Sequence, residues 1–169
     1  AAAAPLADRV AARAQNDVRF ARVLTALLDA PSTPRGTLER VAARSLNQQR
    51  RAALVRDFVD GSIPTPDVQS LLNLRTPQAV HRMRTRGKLL GTAVGNQTYF
   101  PAWQFDADRV RADLPRILEL LGRYTSDPLA ADRIMRLEHP DLKDTSVAEA
   151  LRDTRTAEAA WRILTSLGA

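Results

Sequence analysis

The chain of 169 residues has no cysteine, which removes disulfide frameworks, thiolate metal centres and cysteine nucleophiles from consideration and fits a reducing cytoplasm. Histidine occurs only at His81 and His139, and aromatic residues make up 5% of the chain. Lysine is nearly missing too: Lys88 and Lys143 stand alone beside many arginines. No apolar run approaches the roughly 20 residues that span a bilayer. The opening AAAAPLADRV lacks a basic n-region and a long apolar stretch, so a cytoplasmic protein without a membrane partner is expected. Neither G-x-x-x-x-G-K nor H-E-x-x-H occurs. His139 lies among Glu138, Asp141 and Asp144, but one histidine in a turn with solvated acids is more often a capped loop than a metal site. Ser146 has no base at a meaningful spacing and is better explained as a helix cap. The expectation is therefore no catalytic residue, no metal and no cofactor: this is not read as an enzyme.

What the chain does contain is unevenly placed charge. The formal net charge is +6, yet residues 1–64 hold ten arginines against six acids, residues 65–101 five basic groups against one acid, and residues 102–169 ten against twelve. Neutralisation of phosphates by basic side chains drives non-specific affinity for DNA, so a nucleic-acid face belongs to the first two thirds. The length and a hydrophobic content of 44% allow one compact domain or two to three small ones.

The stretch from Thr65 to Phe105 carries the most local information. Thr65 and Thr76 each precede a proline, so each hydroxyl is placed to cap free N–H groups while the proline takes the first helical position. Val68, Leu71 and Leu72 share one face of the first helix, with Leu74 at the corner and Asn73 at a bend that suits a left-handed backbone. In the second helix Val80 and Met83 point inward and Gly87 supplies the stop. Gln78, His81, Arg82 and Thr85 are left on the outer face, close to Arg75, Arg84, Arg86 and Lys88, a combination suited to a major groove. GTAVGNQTYF then predicts two short strands around Gly95-Asn96.

These residues resemble the winged helix-turn-helix of MerR and excisionase-type DNA binders, whose Thr/Ser-x-x-x-Val…Gly-x-Leu pattern appears as Thr76, Val80, Gly87 and Leu89. Arg84 departs from it, standing where a second apolar residue is usually buried. The resemblance implies base contacts from Gln78, His81, Arg82 and Thr85. Phosphate contacts are expected from Arg75, Arg84, Arg86 and Lys88 beside the Thr76 cap, with Gly95, Asn96 and Gln97 at a wing tip that reaches the backbone or minor groove.

Before this stretch, a weak helix from Leu6 ends near Gln15-Asn16, and Asp17 to Leu28 has Phe20, Val23, Leu24, Leu27 and Leu28 on one stripe. PSTPRG, residues 31–36, is a linker candidate. Leu38, Val41 and Ala42, then Leu54, Val55, Phe58 and Val59, continue helical spacing up to Gly61 around NQQRR, residues 47–51. After the hairpin, Trp103 and Phe105 are expected to seal it onto a helix containing Val110, Leu114, Ile117, Leu118 and Leu121, which Pro115 either begins or kinks. Three short helices follow: one opened by Asp127-Pro128, one by a Ser146…Glu149 capping box, and a last with Ala157, Ala160, Trp161, Leu164 and Leu167 on one side.

HPDLKDTSVAEAL, residues 139–151, with the final helix, looks like the toxin-binding segment of Xre-type antitoxins of the MbcA/ParS group paired with RES-domain toxins. Leu142, Ser146, Glu149, Ala150 and Leu151 match or nearly match that family's motif, while Asp144 replaces its glycine and Val147 its proline. The resemblance implies partner contacts from Ile134, Leu142, Leu151, Trp161, Leu164 and Leu167.

The expected fold class is mainly α, a multi-helix protein with a central winged helix-turn-helix carrying one β-hairpin. Three regions are expected: 1–62, an N-terminal helical region for packing or dimerisation; 63–105, the DNA reader; and 106–169, a C-terminal helical partner-binding domain. The expected function is an antitoxin-like transcriptional autorepressor, a homodimer on double-stranded DNA that also binds a protein toxin of the RES type. A stand-alone winged-helix regulator or an excisionase-like architectural protein is the alternative, and Arg84 leaves room for an interaction adaptor that has lost DNA binding.

Overall fold

The computed structural model describes residues 4–29 and 36–167, with the side chains of 7–25, 36 and 39–167. The linker candidate lies outside the described residues except for Gly36, as do the side chains of Leu6, Leu27, Leu28 and Leu38. The protein is mainly helical with small sheets, as its sequence predicts. It forms two compact units, 1–52 and 53–169.

The first unit contains α1 (Ala4–Asn16), α2 (Val18–Asp29) and the first part of α3 (Thr37–Asp60). Asp17 separates α1 from α2: its Oδ1 accepts the Phe20 and Arg19 N–H groups at 3.1 and 3.0 Å. Those bonds, the Phe20 one foremost, hold its carboxyl below the ordinary carboxylate value. Phe20 and Ala42 are buried there, and the Arg13 guanidinium lies 5.7 Å from the Phe20 ring centroid.

The second unit begins within α3, which is continuous from Thr37 to Asp60 and so joins the two helical patterns flanking NQQRR. There follow β1 (Ser62–Pro64), α4 (Thr65–Leu71), α5 (Pro77–Thr85), β2 (Thr92–Val94) and β3 (Gln97–Pro101). The strands form one antiparallel sheet in the order β1-β3-β2, with Ile63 opposite Phe100 and Val94 opposite Gln97. The expected single hairpin thus has a third strand, β1, which the sequence reading left out. Pro64 can sit there because β1 is an edge, where a missing N–H leaves no ladder bond unmade.

A 3-10 turn (Ala102–Gln104), β4 (Phe105–Asp106) and β5 (Arg109–Val110) lead into α6 (Leu114–Tyr124). Pro115 lies in the first turn of α6 and therefore begins the helix without kinking it. Then come α7 (Pro128–Arg136), β6 (Glu138–His139), a 3-10 turn (Pro140–Leu142), β7 (Thr145–Ser146), α8 (Val147–Ala150) and α9 (Ala157–Ser166). Asp127 caps α7 through Leu129 N–H at 3.0 Å and Ser146 caps α8 through Glu149 N–H at 3.2 Å.

Residues 63–105 and 106–169, expected as separate domains, share one core. Val68, Val80, Leu89 and Phe100 belong to the same buried cluster as Leu114, Ile117, Met135, Leu142, Val147 and Leu164. Among the described residues no helix is long and apolar enough to cross a membrane.

Candidate nucleic-acid interface

The α4 and α5 helices end in the same way. At the end of α4, Asn73 has φ +51°, its N–H donates to Ser70 O at 3.1 Å and Leu74 N–H reaches back to Gln69 O at 2.9 Å. At the end of α5, Gly87 has φ +69°, its N–H donates to Arg84 O at 3.0 Å and Lys88 N–H to Met83 O at 2.9 Å. Both are Schellman endings, in which a left-handed residue lets two N–H groups satisfy the last carbonyls. These stops set the direction in which the chain leaves each helix.

The start of α5 is equally well defined. Thr76 is extended at φ −138°, and its Oγ1 accepts the Ala79 N–H at 3.3 Å, with Pro77 at the first helical position. Thr65 does not play the same part for α4, which corrects the expectation of a second threonine cap. It is already helical, Pro64 precedes it as the boundary residue, and its hydroxyl donates instead to Thr98 O at 3.4 Å. The short link from β1 places the threonine inside the first turn, so its hydroxyl ties α4 to β3.

Val80 is fully buried and Met83 half-buried, which fixes the rotation of α5 about its own axis. Gln78, His81, Arg82 and Thr85 consequently lie exposed on the opposite side. The Thr85 hydroxyl donates to Arg82 O at 3.1 Å, leaving its methyl and acceptor lone pairs free to face outward. Arg75, Thr76, Arg86 and Lys88 are exposed around this row. Among the described residues, none of Arg75, Arg82, Arg84, Arg86 or Lys88 forms an ion pair, whereas Arg111, Arg123, Arg136, Arg152 and Arg155 of the C-terminal region all do.

Arg84 differs from its neighbours. It is half-buried, its Nε is enclosed without a partner, and Nη2 lies 3.4 Å from His81 Nδ1. Four residues after Val80 it lies next to the buried stripe, so its stem packs inward while only its tip reaches the His81 ring.

Gly95 and Asn96 form the exposed two-residue tip between β2 and β3. A positive φ of +64° at Gly95, without one at Asn96, has the pattern of a type II′ turn, whose twist matches that of the strands. Gln97 is half-buried, with Nε2 donating to Thr98 O at 3.3 Å.

Behind this arrangement, the expected Trp103 is joined by three polar residues without a local sequence signal, Gln104, Arg111 and Arg152. Gln104 is fully buried: Oε1 accepts the Leu90 N–H at 2.6 Å, and Nε2 donates to Leu90 O at 2.8 Å and Pro101 O at 3.2 Å. One side chain thus pins the link between α5 and β2. Trp103 is buried as expected and donates from Nε1 to Asp132 Oδ1 at 2.9 Å. Arg111, almost wholly buried, donates to Trp103 O at 3.3 Å and Ala148 O at 3.2 Å, while Arg152 donates to Trp103 O and Phe105 O, both at 3.0 Å. The hairpin is fastened in this way to the C-terminal helices.

Of the residues expected to meet a protein partner, Leu142, Leu151 and Leu164 are corrected to core positions, at 0, 8 and 1% exposure. Their stripe is covered by the chain's own second unit. Ile134, Trp161 and Leu167 stay half-buried, and the Arg116 guanidinium stacks 4.4 Å from the Trp161 ring centroid. His139 Nδ1 accepts the Asp141 N–H at 3.1 Å and so caps a 3-10 turn; among the described residues no group of three or more His, Cys, Asp or Glu could hold a metal ion. Comparison with protein-family models, with curated proteins and with solved structures finds no match to this chain.

Proposed function

We propose that residues 62–101 form a winged helix-turn-helix that binds duplex DNA sequence-specifically, with α5 in the major groove and the β2–β3 hairpin as its wing. The observation that carries this reading is the exposed row of Gln78, His81, Arg82 and Thr85 on a helix locked from behind by Val80. Arginine can pair in bidentate fashion with guanine and glutamine with adenine, so the row offers hydrogen-bonding chemistry that distinguishes base pairs. Arg75, Arg86 and Lys88 are available for phosphates, and Gly95, Asn96 and Gln97 for the backbone or minor groove. Arg84, tied up beside His81, contributes less than its charge suggests. A homodimer on a two-fold site completes the proposal, since one recognition helix covers only a half-site.

The test is selection from a random duplex pool. The parent protein enriches a defined sequence, and Gln78→Ala with Arg82→Ala abolishes that enrichment while leaving weak general DNA retention. Equal enrichment by the double variant would remove the recognition-helix assignment.

The biological role we favour is an antitoxin-like autorepressor, whose resemblance lies in the tail and whose partner would be a toxin of the RES type meeting Ile134, Trp161 and Leu167. The interior position of Leu142, Leu151 and Leu164 favours a second reading, a stand-alone regulator or excisionase-like architectural protein. Co-purification with the product of a neighbouring gene, lost in Trp161→Ala with Ile134→Glu, supports the first. No such companion, with promoter binding intact, supports the second.

A further inference from the structure

A second surface suited to DNA lies on α3. No Asp or Glu stands between Glu39 and Asp57, while Arg40, Arg44, Arg50, Arg51 and Arg56 are all exposed. At about 100° per residue, Arg40, Arg44 and Arg51 fall within about 40° of one another, with Asn47 at the edge of the same stripe. Ala42, buried, and Leu46, half-buried, point to the other side of the helix. The stripe runs for about 16 Å at 1.5 Å per residue.

On three other helical stretches an acid four residues away pairs with an arginine: Arg13–Asp17, Glu119–Arg123 and Asp132–Arg136. On α3 the corresponding pair is Arg40 with Arg44, two like charges that repel in the isolated helix. Among the described residues neither they nor Arg51 has an ion-pair partner, although Arg40 Nε donates to Gly36 O at 3.2 Å. Repulsion of that kind is relieved by a polyanion laid along the stripe, and the planar guanidinium with an interleaved asparagine suits phosphate oxygens.

We infer that the Arg40, Arg44 and Arg51 stripe of α3 binds the phosphate backbone of duplex DNA without reading its sequence, an inference that rests on the proposed function only in taking duplex DNA as the partner. The stripe adds affinity and salt dependence. Discrimination between sequences stays with α5.

The experiment measures the affinity of the full chain for a 30-base-pair duplex of arbitrary sequence across a series of KCl concentrations. Each phosphate neutralised contributes about 0.9 to the slope of log affinity against log salt, so Arg40→Ala with Arg44→Ala and Arg51→Ala should flatten it by about 2 to 3. The matching triple lysine variant should restore most of the slope, which separates loss of charge from loss of fold. An unchanged slope in the alanine variant overturns the inference. So does loss of binding to vesicles containing phosphatidylserine with DNA binding intact, which would assign the stripe to a membrane surface. Failure of sequence selection with the stripe effect present would instead overturn the α5 reading and leave this inference standing.

Discussion

Gln104 shows how one polar side chain can be worth more to this fold than a larger apolar one. It serves the N–H and the C=O of Leu90 and also donates to Pro101 O, so truncating it removes a partner from three backbone groups, two of them on Leu90. Gln104→Ala should cost about 2–6 kcal/mol, at roughly 1–3 for each of the two Leu90 groups left unsatisfied, measured by urea unfolding. A loss below half a unit of that range would mean that water replaces the amide. Asp132 carries a different consequence. Burial pushes its carboxyl above the ordinary aspartate value, against the Trp103 hydrogen bond and the Arg136 guanidinium that favour the charge. A raised folded-state value means the group stabilises the fold fully below pH 3.8 and that this contribution is lost as pH rises through the folded value. The parent should therefore lose stability relative to Asp132→Asn as pH climbs from 3.8 through the raised folded-state value. A difference that stays flat, or runs the other way, would show that Arg136 outweighs burial. Neither residue was legible in the sequence, because their partners lie 14 and 29 positions away and a lone Gln or Asp carries no local pattern.

At the scale of elements, the local signals were the readable ones. Thr76, Asp127 and Ser146 cap the helices they precede, and Asn73 takes the left-handed backbone expected of it. Each depends on chemistry within a few residues. Strand β1 was not visible because three residues ending in proline show no alternation, and it exists only by pairing with β3. The two-residue strands β4 to β7 are likewise created by their partners. The hairpin also depends on a close approach at Gly91, where a Cβ would come within 2.7 Å of two Phe100 ring carbons and 3.0 Å of Tyr99 O. Phe100 is buried and cannot swing away. Gly91→Ala should cost about 1–3 kcal/mol and loosen β2 from β3, seen as faster hydrogen exchange at the wing amides. Unaltered exchange there would mean that the backbone shifts at little cost.

For the whole molecule, a periodic apolar stripe predicts that a face is covered but not what covers it. The stripe containing Leu142, Leu151 and Leu164 could have met another protein; instead it closes the core shared with α4 and α5. The expected divide at residues 105 and 106 fails for the same reason, since Phe105 and Trp103 are packed into that core. The two compact units differ in how much apolar surface they hide. Among described side chains the first buries Phe20 and Ala42, whereas the second buries a cluster from Val68 to Leu164. Opening free energy follows buried apolar contact, so amide exchange should divide the chain near residue 52, the limit of the first unit. The α1 and α2 amides should exchange through local opening in low denaturant, and those of α6 only with global unfolding. Equal protection in α1 and α6 would mean that the first unit gains its stability from contacts beyond those two side chains. Because the α3 arginine stripe lies on this weaker unit, duplex DNA bound there should raise the protection of α3 amides more than that of α6, and a uniform rise would argue for binding through the second unit alone.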